Sequence, residues 1–112
     1  MTIFEKIIAR EIPAAIVYED DSTIAFRDID PQAPVHIVIA SKTPVPTLND
    51  LDDSDAGLTE KMIAAARQIA ISENIDASGY RIVFNCNKDG GQSVWHIHCH
   101  LLGGRPMKWP PG

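Results

Sequence analysis

Apolar positions along the chain follow a helical spacing in two places and a strand-like alternation in most of the others. The opening stretch TIFEKIIAREIP sets Ile3, Phe4, Ile7 and Ile8 on one helical face, and Pro13 ends the pattern. AAIVYED then predicts a strand, the cluster Asp20-Asp21-Ser22 a turn, and TIAFRDI the returning strand. DPQAP at 30–34 is a proline-bounded loop. VHIVIAS at 35–41 alternates strictly, which puts His36 on the face opposite Val35, Ile37 and Ile39.

The stretch TPVPTLNDLDDSD carries two prolines and so belongs neither inside a helix nor in a central strand. Its Asp50, Asp52, Asp53 and Asp55 suit a helix entrance better than a binding patch. Short acidic side chains there cap free N–H groups and complement the helix dipole. From Ala56 to Glu73 the spacing predicts the strongest helix, with Leu58, Met62, Ala66, Ile69 and Ala70 as its buried stripe. YRIVFNCN, the turn-former KDGG and a long strand QSVWHIHCHLL follow. The order βββαββ behind one leading helix predicts a single α+β domain over residues 1–112. Its core is an antiparallel sheet of about five strands with two helices on one side, and such a sheet leaves open edges.

Three of the four histidines fall in HIHCHLL, at 96, 98 and 100. On a strand these alternate positions share a face, so His96, His98 and His100 project together while Ile97, Cys99 and Leu101 point to the core. If KDGG forms a simple hairpin centred near Asp89, Asn85 lies across from Ser93, close to the histidines. The same register places Cys86 near Gln92 and leaves Cys99 more than ~20 Å away along the strand, beyond disulfide reach. Both thiols are expected to be free, with Cys99 a small buried hydrophobe.

Composition narrows the classes. A chain of 112 residues, 45% apolar and 22% charged, supports one modest core. A formal charge of −5 with scattered Lys and Arg argues against binding a nucleic-acid backbone. A small phosphate ligand needs only a local positive potential and stays open. Glu5, Lys6 and Arg10 near the start do not read as a signal peptide, and no apolar run approaches the roughly 20 residues of a membrane span. The expectation is a cytoplasmic protein with no membrane or nucleic-acid partner.

Adjacent imidazoles contribute nothing to a core and repel when protonated, so the triplet points to chemistry. A metal cage is one option, because imidazole is the commonest metal ligand. Three alternate histidines on one strand fit a compact ion poorly, no carboxylate follows at ligand spacing, and Cys99 faces away. Phosphoryl chemistry fits better: a neutral imidazole attacks phosphorus, and its neighbours offset phosphate charge or protonate a leaving group. Glycine-rich DGGQS can aim backbone N–H groups at phosphate oxygens, although it also simply makes a turn. No metal and no cofactor is called for.

The pattern His-φ-His-φ-His-φ-φ, formed here by His96 to Leu102, resembles the signature of the histidine-triad superfamily. IFEKIIAREIPA, DIDPQAPVH, GGQSVWHIHCHLLGGRPM and the terminal WPPG together look like its Hint branch, the nucleoside phosphoramidases, over nearly the whole chain. Asn87, where relatives often carry glycine, and Cys99, often leucine, are the departures. The resemblance implies the histidine-triad fold and hydrolysis of purine nucleoside 5′-phosphoramidates, with a dinucleoside polyphosphate hydrolase or a non-catalytic nucleotide- or zinc-binding module as alternatives. It implies His98 as nucleophile, His96 and His100 holding its orientation and the phosphate oxygens, and His36 completing the set. Ser93 would stand near the leaving group, with Asn85, Gly91 and Gln92 lining the phosphate site. Asp28 would accept both ribose hydroxyls, a task suited to a carboxylate with two oxygens. Ile3, Phe4, Ile7, Ile12, Phe26 and Ile29 would sandwich the base. A homodimer with a sheet continuous across subunits is also implied, with Trp109 as a contact in trans.

Overall fold

Thr2 starts the first helix. Its hydroxyl accepts the Glu5 N–H, and the Glu5 carboxylate accepts the Thr2 N–H, a reciprocal box that satisfies two otherwise free donors of α1 (Ile3–Ile8). The helix stops well before Pro13, because the chain turns at Arg10 through a left-handed φ of 62°. The computed structural model describes all 112 residues. Strands β1 (Ile16–Glu19), β2 (Thr23–Arg27) and β3 (Val35–Ser41) follow, then α2 (Leu58–Ser72), β4 (Tyr80–Val83) and β5 (His98–Gly103). All neighbours pair antiparallel in the order β1-β2-β3-β5-β4, which gives the five-stranded α+β sheet expected.

The two helices lie on opposite faces of the sheet, not on one side as the element order suggested. Odd residues of β3 and β5, namely Ile37, Ile39, Cys99 and Leu101, pack with Met62, Ala66 and Ile69 of α2. Even residues Val38 and Ala40 pack instead with Ile24, Phe26 and the α1 residues Phe4 and Ile7. Periodicity identifies a buried stripe but not the layer that buries it.

Two further differences shape the site. The acidic run does not cap α2, whose entrance is Gly57 with no side-chain cap. Asp50 and Asp52 instead close two short 3-10 turns, Leu48–Asp50 and Asp53–Asp55, through capping boxes with Thr47 and Asp55. The hairpin predicted around Asp89 is replaced by a long connection. Val83 pairs with His100, so β4 ends early and residues 84–97 form a loop. Gly90 is held so close to the Cys86 backbone that a Cβ would meet its carbonyl oxygen at 2.5 Å, which excludes a larger residue. Both cysteines are free as expected, with Cys86 in the loop and not on a hairpin strand across from Gln92.

Candidate active site

Strand pairing sets Val38 opposite His100, Ala40 opposite His98 and His36 opposite Leu102, so three imidazoles lie on the α1 face. His98 and His100 rings stand 5.1 Å apart between centroids, as do His36 and His100. Phe4 meets His98 edge-on at 4.8 Å, fixing that ring from the helix side. His96 lies before the first residue of β5. Its ring is on the same side, 6.0 Å from Phe4, but only 1% exposed, and its Nε2 donates to the Ser41 carbonyl at 2.5 Å. The His96 ring therefore does not reach the open cavity. Its peptide does the orienting instead.

The hydrogen bonds assign the protons. His98 Nδ1 lies 2.6 Å from the His96 carbonyl, which can only accept, so Nδ1 carries the hydrogen. His98 Nε2 is left as a free lone pair, unpartnered and not buried. His36 Nδ1 accepts the Gln32 backbone N–H at 3.0 Å, so its hydrogen sits on Nε2. That Nε2 lies 2.8 Å from His100 Nδ1, which must accept. His100 then presents an Nε2–H as a donor.

Charge states follow from burial. The His98 pKa is held below the ordinary imidazole value, first by burial, with the hydrogen bond to the His96 carbonyl and then the Asp28 carboxylate opposing. His100 falls further, to about 4, through burial and then the like charges of His98 and His36. Near neutral pH the His98 ring, with its open lone pair, and the neighbouring His100 donor are both uncharged.

These groups open onto a cavity of about 390 Å³. Ile3, Phe4 and Ile7 supply one wall and Phe26, Val38 and Val94 add apolar surface. Ile12, Pro13 and Ala14 continue the lining beyond α1, with Asp28, Ile29, Ser93, His98 and His100. Ile29 is 98% exposed and Ile3 48%, two apolar side chains left at the rim without protein cover. Of the residues picked from sequence, His36, His96, Asn85, Gly91, Gln92 and Trp109 lie outside this lining. Asn85 is half-buried in the loop after β4, Gly91 closes the turn at φ 81°, and Trp109 is 83% exposed. The buried Gln92 side chain accepts the Asn87 N–H and donates to the Pro46 and Val94 carbonyls, so it holds the loop that delivers Ser93. Sequence reasoning missed Val38, which shares the His36 face by simple alternation and could have been found. It also missed Gln32 and Ser41, which act through backbone groups that leave no side-chain signal.

Asp28, His36 and His100 bring ligand atoms within 4.8 Å of one another. That cluster is a poor metal cage. The Gln32 N–H holds His36 in the tautomer whose Nε2 is already protonated, and a metal at Nε2 would need that proton gone. The 3.4 Å approach of Asp28 to His36 Nε2 fits a shared hydrogen bond donor.

Fold and site together define an α+β domain with a hydrogen-bonded histidine set at an apolar cleft. The HIT domain family matches residues 9–107, and the chain belongs to that family. It is 54% identical to the purine nucleoside phosphoramidase of Escherichia coli (strain K12) over 106 residues, covering 95% of this chain and 89% of that one. A HIT family hydrolase from Legionella pneumophila Philadelphia 1 superposes with a TM-score of 0.97 at 50% identity over the whole of both chains. One from Clostridium thermocellum does so at 0.93 and 41%, covering 96% of this chain and 93% of that one. No helix is long and apolar enough to cross a membrane.

Proposed function

We propose that the chain hydrolyses purine nucleoside 5′-phosphoramidates to the nucleoside monophosphate and an amine, through a nucleotidyl-histidine on His98. One observation carries this: His98 Nε2 is a free, uncharged lone pair, aimed by the His96 carbonyl and facing a cleft sized for a nucleoside. The name of the E. coli relative supports the same substrate class.

In the first step Nε2 of His98 attacks the α-phosphorus and the P–N bond breaks. The leaving nitrogen takes a proton from solvent on the open side, where Ser93 stands, and departs as an amine. His98 becomes a nucleotidyl-imidazolium whose Nδ1–H still donates to the His96 carbonyl. The His100 Nε2–H donates to a non-bridging oxygen, which gains charge as the bond forms. Water then attacks phosphorus and gives a proton back to solvent as the bond from phosphorus to His98 Nε2 breaks, releasing the monophosphate and neutral His98. Asp28 accepts the ribose hydroxyls. Ile3, Phe4 and Ile7 hold the base with Ile12, Phe26 and Ile29, while Asn85, Gly91 and Gln92 act from outside the cleft, in the loop that carries Ser93.

The same reading makes the protein a cytoplasmic homodimer. β4 is an edge strand with one neighbour, and exposed Tyr80 lies at its start. Arg81 donates to the Lys108 carbonyl at 2.9 Å, so exposed Trp109 sits beside that edge, placed to reach a partner. Sedimentation tests the dimer.

The activity test uses chelator-treated protein with adenosine phosphoramidate and a diadenosine polyphosphate in parallel. Cleavage of the phosphoramidate, lost in His98→Ala by several orders of magnitude, is the expected result. Cleavage of the polyphosphate alone would move the assignment to the dinucleotide class. Phosphoramidate cleavage retained in His98→Ala would defeat the mechanism.

A further inference from the structure

We propose that Arg105 is a positioning residue that sets the proton on His100 through a relay of four groups, an inference that rests on the proposed phosphoryl chemistry. The Arg105 guanidinium donates to the Gln32 carbonyl from Nε at 3.3 Å and from Nη2 at 3.0 Å, and from Nη1 to the Pro106 carbonyl at 3.1 Å. Gln32 donates its N–H to His36 Nδ1 at 3.0 Å, and His36 Nε2 meets His100 Nδ1 at 2.8 Å. A neutral imidazole has one ring hydrogen, so from the Gln32 N–H onward each bond dictates the next, and Arg105 acts by holding Gln32 so that this N–H meets His36. The end of the relay is the His100 Nε2–H.

Within the loop, the Gln32 side chain donates to the Asp30 carbonyl at 2.9 Å and the Asp30 N–H to the Asp28 carboxylate at 2.8 Å, but only Arg105 ties Gln32 to the exit of β5. Residues 31–34 have no helix or strand structure, and Pro31 and Pro34 have no N–H to donate. The exit of β5 is packed against the same loop: a Cβ on Gly104, where φ is 89°, would meet the Pro34 Cβ at 2.9 Å. That contact sets Arg105 over Gln32, where its two-nitrogen fork grips a single carbonyl. An Arg fork loses little entropy per bond formed, which suits an exposed clamp.

The consequence lies in the transition state. If the Gln32 peptide drifts, His36 is free to move its hydrogen to Nδ1. His100 then donates from Nδ1 toward His36 and turns a lone pair toward the phosphoryl oxygen. Donation becomes repulsion where negative charge builds. Binding of base and ribose is untouched, so kcat should fall while KM barely moves.

The test has two arms on the full-length protein. Imidazole ¹⁵N–¹H correlation spectra of the ligand-free wild type should show His36 and His100 both protonated on Nε2. In Arg105→Met, which keeps the aliphatic stem, both rings should become tautomer mixtures. The kcat for adenosine phosphoramidate should fall roughly ten- to a hundredfold, with KM within about twofold. Arg105→Lys, which can donate to one carbonyl but not as a fork, should recover part of both. A wild type with His100 protonated on Nδ1 overturns the proposal whatever the variants do. So does a folded Arg105→Met, or Arg105→Lys if the former fails to fold, with wild-type tautomers and kcat. Absence of phosphoramidate turnover in the wild type would defeat the proposed function alone, because the tautomers are read without substrate.

Discussion

Replacing Gln92 with leucine keeps the volume of the side chain and removes three hydrogen bonds at once. The wild-type amide oxygen accepts the Asn87 N–H at 2.8 Å, and its nitrogen donates to Pro46 O at 2.8 Å and Val94 O at 3.0 Å. The side chain is only 7% exposed, so water does not readily replace these partners. At about 0.5–1.5 kcal/mol net for each of the three bonds, the loss is about 1.5–4.5 kcal/mol. That is a large share of the 5–15 kcal/mol that typically holds a domain folded, yet small enough to leave the variant native at 25 °C. The functional effect follows from position. The bonds span the connection that presents Ser93 to the cleft, and Pro46 anchors it to a distant part of the chain. Urea titration of wild type and Gln92→Leu should therefore show a lower midpoint with an unchanged slope. Turnover should fall more than tenfold as Ser93 loses its place, a misplacement effect of the size seen for displaced catalytic groups. A stability loss under about 0.5 kcal/mol, or full turnover in a clearly destabilised variant, would refute the clamp.

The pKa shifts give a second prediction. His98 and His100 stay uncharged in the native state over a range where the unfolded chain takes up protons, so the unfolded state binds more protons below the ordinary imidazole pKa. The contribution is fully present above pH 6.5 and is lost as pH falls toward about 4 for His100. Each group adds at most about 1.4 kcal/mol per pH unit, and less for the partly open His100 ring, so urea midpoints should fall on acidification and fall less in His100→Gln. kcat/KM should stay high below pH 6.5 and decline on an acid limb set by His98. A limb centred above 6.5 would contradict the burial effect. A third prediction concerns thiols. Cys99 is fully buried with its pKa pushed up to about 12, so iodoacetamide should modify Cys86 in the native protein and spare Cys99 until it unfolds. Equal labelling of both would contradict that placement.

What could be read from the sequence was whatever strand alternation or a local signal carries. Alternation placed His36 opposite Ile37 and put His98 and His100 on one face, as the β3–β5 register shows. It failed for the hairpin because KDGG offers a plausible tight turn, while the real connection is set by Gln92 reaching Pro46, 46 residues away. The Arg105 grip on Gln32 spans 73 residues and involves a backbone carbonyl, so no periodicity could announce it. The face chosen by α1 was equally silent. Phe4 and Ile7 form an apolar stripe that would serve either layer, and only the pairing of β3 decides that they cover the histidines. His96 shows the same limit: spacing grouped it with its neighbours, but the strand begins two residues later, and its ring turns to Ser41.

A covalent nucleotidyl-histidine at His98 is tested most directly by the stereochemical course at phosphorus. A purine nucleoside phosphoramidate made chiral at the α-phosphorus by sulfur and oxygen isotopes would be hydrolysed and the product configuration determined. Two successive displacements, by His98 and then by water, predict net retention. Net inversion would mean that water attacks in a single step, and His98 would not be the nucleophile.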